Sequence, residues 1–183
     1  MSKRAAAWPW LALQGVVLAV LGAGAMFGPS RGGLAPPILF PSVLLIAGAI
    51  GLIMAFVAKG DMHRGLNLAS AGAALAAAIG GGTLALAAPL IATGGQTLLI
   101  TLYMVIDAVT RVLLGFDQRR RKTGADAWFL ASGPFDILLS GLMITIGAVA
   151  PAWIVGALLG LELVADGCAL VGMSLIGHKT AAT

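Results

Sequence analysis

Four of the seven acidic side chains, Asp107, Asp136, Glu162 and Asp166, lie inside apolar runs long enough to cross a membrane. Lipid offers a carboxylate no water, so such a residue faces a bundle interior, pairs with a cation or holds a proton. At 1.5 Å per helical residue, counted from the cytoplasmic helix ends, Asp107, Asp136 and Asp166 fall roughly 12 to 17 Å deep, in one layer. Glu162 lies one turn further out, on the same helix face as Asp166. Arg111 follows Asp107 by four residues, the spacing at which an acid and a base meet on one helix. The fifth span adds a small and polar stripe of Ser132, Gly133, Asp136, Ser140 and Gly147. The pattern predicts four acids and one base at the junction of the fourth, fifth and sixth helices. Two readings stand side by side: an Asp107–Arg111 ion pair that fixes helices, and a proton- or cation-responsive site at Asp136, Glu162 and Asp166. Three acids without two further buried cations cannot all stay ionised cheaply, so at least one is expected to keep its proton.

Other chemistry is sparsely supported. His63 and His178 sit near span edges with no second ligand at metal spacing, and the single Cys168 excludes a disulfide framework and a thiolate metal site. Gly80-Gly81-Gly82 lacks the Lys and Ser or Thr of a phosphate loop and falls inside a span. No nucleophile-elbow or zinc-protease motif occurs, and neither Ser140 nor Ser174 has a histidine at matching depth. The expectation is a protein that is not an enzyme and needs no cofactor or metal.

The elements that position these residues follow from composition. With 183 residues, 60% hydrophobic and 10% charged, the chain cannot cover a soluble globule with polar surface. About six stretches of some twenty apolar residues span a bilayer core of roughly 30 Å. They lie near 8 to 28, 37 to 58, 66 to 88, 96 to 116, 128 to 150 and 152 to 177. Lipid cannot satisfy backbone groups and the runs do not alternate, so the fold class is all-α, a polytopic membrane protein with one transmembrane domain over residues 1–183. Lys3, Arg4 and the small residues Ala23-Gly24-Ala25 imitate a signal peptide, but the length of the first span and Trp8 and Trp10 at its edge read as a retained helix. Lys3, Arg4, Lys59, Arg64, Arg119, Arg120, Arg121, Lys122 and Lys179 fall on one side and only Arg31 on the other, which puts both termini in the cytoplasm. The net charge of +4 is this asymmetry and not a nucleic-acid footprint. Arg119, Arg120, Arg121 and Lys122 serve as a topology signal, with anionic lipid headgroups as a second use.

The spans read as three tandem helical hairpins, about 8–58, 66–116 and 128–177. Pro29, Pro89 and Pro151 recur at 60 and 62 residues, and Ala47-Gly48, Asp107-Ala108 and Asp166-Gly167 at 60 and 59. Each copy starts and ends on the same side, so the repeats are parallel and lack the inverted, broken helices common in transporters. The Ala- and Gly-rich third span is expected to lie centrally. Gly24 with Gly28, and Gly156 with Gly160, have the four-residue spacing of close helix contacts. The expected partner is the lipid bilayer, with a homo-oligomer or a larger membrane complex as further possibilities.

The three hairpins, Trp10 and Trp128 in odd-numbered helices, and the segment Gly160-Leu-Glu-Leu-Val-Ala-Asp-Gly-Cys-Ala-Leu-Val171 carry a family resemblance. The chain resembles the HdeD-type bacterial membrane proteins over nearly its whole length, most closely around Asp166-Gly167. The third helix departs from the pattern, having no leading Trp. The resemblance implies a bacterial inner-membrane location and a part in acid and stress tolerance, and no catalytic residues. Conduction of protons or cations, or service as an accessory subunit, are the alternatives. Conduction needs a continuous polar path, and the outer half offers only Glu162, Gln96 and a few Thr.

Overall fold

The computed structural model describes residues 8–28, 36–57, 61–120, 126–147 and 149–181. Among them the chain forms six α-helices: α1 (Trp8–Phe27), α2 (Pro36–Val57), α3 (Asp61–Ala87), α4 (Pro89–Arg120), α5 (Asp126–Ile146) and α6 (Ala152–Ala181). Five are long and apolar enough to cross a membrane; α5, with 21 residues, is about 31 Å long at 1.5 Å per residue. The protein is a polytopic helical membrane protein. Arg121, Lys122, Lys3, Arg4, Arg31, Lys59 and Pro29 lie outside the described residues.

Prolines mark helix starts. Pro89 opens α4 after a single non-helical residue, Ala88, and Pro151 stands just before α6, its carbonyl accepting from the Ile154 amide at 2.9 Å. Pro41 and Pro134 sit inside α2 and α5, where a missing N–H is tolerated within a bundle. Arg119 and Arg120 are exposed in the last turn of α4, where cations complement the helix dipole. Arg64 lies over the Phe56 ring, 5.3 Å from its centroid, so the start of α3 caps the end of α2.

The helices follow one another round a ring that α1 and α6 close. The packing is not that of three equal hairpins. α2 lies along α3, α3 along α4 and α4 along α5, whereas α1 touches α2 only slightly and α5 meets α6 over a short stretch. The most extensive contact joins α1 and α6, the two ends of the chain. The reason is glycine. Gly15 faces Gly167 and Gly22 faces Gly160, so seven residues up α1 match seven residues down α6, an antiparallel register. A Cβ built at Gly22 would stand 2.5 Å from the Gly160 carbonyl oxygen, and one at Gly15 2.5 Å from that of Gly167. Only hydrogen fits there, and the backbones touch.

This corrects the expected packing set. Gly160 does pack closely, but its partners are Gly22 and Met26. Gly24 is exposed, with open space where its Cβ would be, because it lies on the opposite side of α1. Gly28 meets Leu39 of α2, and Gly156 is buried. Nor is α3 central: Gly65, Ala69, Gly72, Ala76, Ile79 and Leu86 form an exposed face, and α6 and α4 are the more enclosed helices.

All six helices feed one apolar core, including Leu18, Ala25, Phe40, Leu44, Ala77, Met104, Met143, Leu159 and Leu163. It extends from mid-bundle toward the end where α1 finishes and α6 begins, called the outer end below. The inner end is where α1 begins and α6 finishes.

Candidate functional site

Six charged and polar groups, Arg111 and Ser70 partly buried and the other four buried, converge between mid-depth and the inner end of the bundle. α4 contributes Asp107 and Arg111, α5 Asp136, α6 Glu162 and Asp166, and α3 Ser70. Asp107, Asp136, Glu162 and Asp166 are all at most 3% exposed. The carboxylate oxygens of Asp107, Asp136 and Asp166 approach within 4.8 Å of one another, so the predicted layer is a physical cluster.

Arg111 holds it together. Its Nε donates to Asp107 Oδ2 at 2.5 Å along the same helix, and Nη2 donates to Asp166 Oδ2 across the bundle. The same Nε lies 3.3 Å from Asp136 Oδ2, an ion pair without hydrogen-bond geometry. The Arg111 side chain keeps 15% of its surface exposed. A planar fork with several donors suits this bridging, where a lysine would act as a point charge. Three carboxylates at this spacing have the geometry to hold a metal ion, but the guanidinium already supplies the positive charge among them.

Sequence spacing identified the Asp107–Arg111 pair. It did not identify the bridge to Asp136 and Asp166, because helix rotation sets which faces meet. It also missed Ser70, whose hydroxyl donates to Asp107 Oδ1 and ties α3 to the cluster. Ser70 is one of two hydroxyl residues, with Thr83, in an Ala- and Gly-rich helix, and that contrast was the available signal. Replacing Ser70 by Ala is expected to lower stability by about 1 to 2 kcal/mol, the scale of a hydrogen bond to a charged group in a membrane bundle. Thermal unfolding in detergent would measure it, and a drop in Ser70→Thr matching that in Ser70→Ala would contradict the role given to the hydroxyl.

One turn outward from the three aspartates, each helix offers a second oxygen: Tyr103 on α4, Ser140 on α5 and Glu162 on α6, all buried. The repetition follows from 3.6 residues per turn, since 103, 140 and 162 each lie four positions from 107, 136 and 166. Ser140 donates to the Ile137 carbonyl of its own helix at 3.0 Å. Still further out, Gln96 is buried and its Nε2 donates to the Gly81 carbonyl at 2.9 Å, joining α4 to α3 where Gly81 has no side chain to intervene.

The hydrogen-bond balance is one-sided. Among the described residues six buried side-chain polar atoms have no hydrogen-bond partner, and all six are oxygens: Gln14 Oε1, both oxygens of Asp136, both of Glu162, and Asp166 Oδ1. Ionised carboxylates only accept. The cluster therefore has more acceptors than donors, and four acids face one guanidinium.

Comparison with known proteins defines the family. A family described as a short repeat of unknown function, DUF308, matches residues 13–81 and again 76–145. The chain belongs to this family. No curated protein and no solved structure matches it. The two DUF308 matches begin at residues 13 and 76, 63 apart, close to the period of about 60 read from the prolines and small dipeptides. The polar cluster is not part of what the DUF308 repeat encodes twice. α2, in the first copy, contains no charged residue, Asp107, Arg111 and Asp136 fall in the second, and Glu162 and Asp166 lie beyond both.

Proposed function

We propose that this DUF308 protein is a non-enzymatic protein of the HdeD type in a bacterial inner membrane, with cytoplasmic termini, and that it serves acid tolerance through its buried carboxylates. The supporting observation is the acceptor excess at Asp136, Glu162 and Asp166. Each proton taken up turns an acceptor-only carboxylate into a group that can also donate, and removes a charge that lipid and apolar core cannot solvate. The cluster thus converts external acidity into a change of charge inside the bundle. Lipid is the partner of the exposed apolar faces. A conducting path has less support, because the Ser140, Ser174 and Thr101 hydroxyls donate to carbonyls of their own helices and not to one another.

Infrared difference spectroscopy of the protein in lipid tests the reading. A carboxylic-acid C=O band that appears between about pH 8 and pH 4 and weakens in Asp136→Asn and Glu162→Gln is the expected result. Absence of any titrating band would end the proposal.

A further inference from the structure

The helices fall into two bodies. α2, α3, α4 and α5 pack in series along their lengths, and α1 and α6 pack on each other through glycine. Between the bodies contact is slight: α1 against α2, α6 over a short stretch of α5 and marginally against α4 and α2. The outer part of this seam is apolar, where Val155, Leu158 and Leu159 of α6 meet the common core. Inward of these leucines the cluster straddles it, with Glu162 at its outer edge. Asp107, Arg111, Tyr103 and Asp136 stand on the four-helix side, and Glu162 and Asp166 on the α6 side.

We infer that the Arg111–Asp166 pair is a latch across this seam, and that protonation of the α6 carboxylates lets the α1–α6 pair swing away from α2–α5 at the inner end, with the apolar outer part as hinge. The inference rests on the proton-responsive reading above and names what the proton does. Each body has its own internal ties. Arg111 keeps Asp107 on its own helix, and Ser70 binds Asp107 from α3, so the four-helix body stays closed when Asp166 lets go. The α1–α6 contact is backbone on backbone and contains no charged pair among the described residues, so acid leaves it intact. The groups facing Asp166 are Arg111, Asp107 and Tyr103 from α4 and Asp136 from α5; Glu162 faces the same four and Asp166 itself. α1 carries no charged side chain, and its Gln14 has a buried Oε1 without a hydrogen-bond partner. A neutral Asp166 loses the charge attraction to Arg111, whose Nε still has Asp107 Oδ2 beside it on the same helix, and two packings separated by a few contacts are the kind of bistable element that a single charge can bias.

Pulsed electron-spin distance measurements in nanodiscs test this, after Cys168→Ala removes the exposed native thiol. Spin labels at Phe116 on α4 and Leu175 on α6 report the inner seam, labels at Ile144 and Trp153 the outer seam, and labels at Leu13 and Leu175 the α1–α6 pair; all five positions are exposed. Acidification from pH 8 to pH 4.5 is expected to lengthen the first distance by roughly 2 Å or more, the scale of helix shifts at switching interfaces. The other two distances stay fixed, and Asp166→Asn shows the long inner distance already at pH 8. Infrared spectra on the same samples separate the two proposals. A titrating carboxyl band with unchanged distances overturns the latch and leaves the proton-responsive reading standing. Unchanged distances without a band remove both. A distance change without a band also overturns the latch, since another group would then be driving it.

Discussion

Arg111→Gln is expected to lower the stability of the protein in detergent or lipid by about 3 to 5 kcal/mol at pH 8, the cost of leaving buried carboxylates without their cation. Glutamine keeps much of the length and some donors, so the loss reports charge more than packing. The sign with pH follows directly. Without Arg111 the folded state confines carboxylates that repel one another, and the penalty is largest where they are ionised. Acidification neutralises them, so the deficit relative to the parent protein shrinks between about pH 8 and pH 5. A deficit independent of pH would mean that Arg111 acts through packing alone. Adding Asp107→Asn to Arg111→Gln should recover part of the loss, although Asp107→Asn alone is harmful, because the pair interact and their effects do not add. Thermal unfolding of the four proteins across pH measures all of this.

The second large effect is expected at the α1–α6 contact. In Gly167→Val the new Cβ meets the Gly15 carbonyl oxygen, lies 2.7 Å from the Ala19 amide nitrogen and touches the Ala19 Cβ at 3.0 Å. None of these is the end of a flexible side chain, so the helices must separate or rotate. The change should cost about 3 kcal/mol, the upper end for overpacking, because the contact is repeated one register further at Gly22 and Gly160 and both sites lose closeness together. Gly24→Ala and Gly72→Ala are the comparison. Both meet open space, and each should be neutral or gain up to about 1 kcal/mol from helix propensity. Equal damage at Gly167 and Gly24 would refute the assigned crossing.

The periodic features of the chain are legible without coordinates because they depend on one helix at a time. Continuous apolar runs imply spanning helices, four-residue spacing places Arg111 under Asp107, and counting from helix ends puts Asp107, Asp136 and Asp166 at one depth. The 60-residue period is legible for the same reason, and the family match recovers it. Glycine spacing was a poorer guide. The pairs four residues apart within a helix, Gly24 and Gly28 or Gly156 and Gly160, carry no statement about which side faces a neighbour. The residues that meet, Gly15 with Gly167 and Gly22 with Gly160, lie some 140 to 150 positions apart in the chain.

By itself, then, the sequence determined that this is a bundle of membrane-crossing helices with four acids and an arginine at matched depths, since hydrophobic length and rise per residue are local quantities. Tertiary structure alone decided that Arg111 reaches three aspartates on three helices, that Ser70 joins them from a fourth, and that the first and last helices close the ring. Those outcomes depend on the rotation of each helix about its axis, which is set by the fit of all six helices together and by where glycine lets backbones touch.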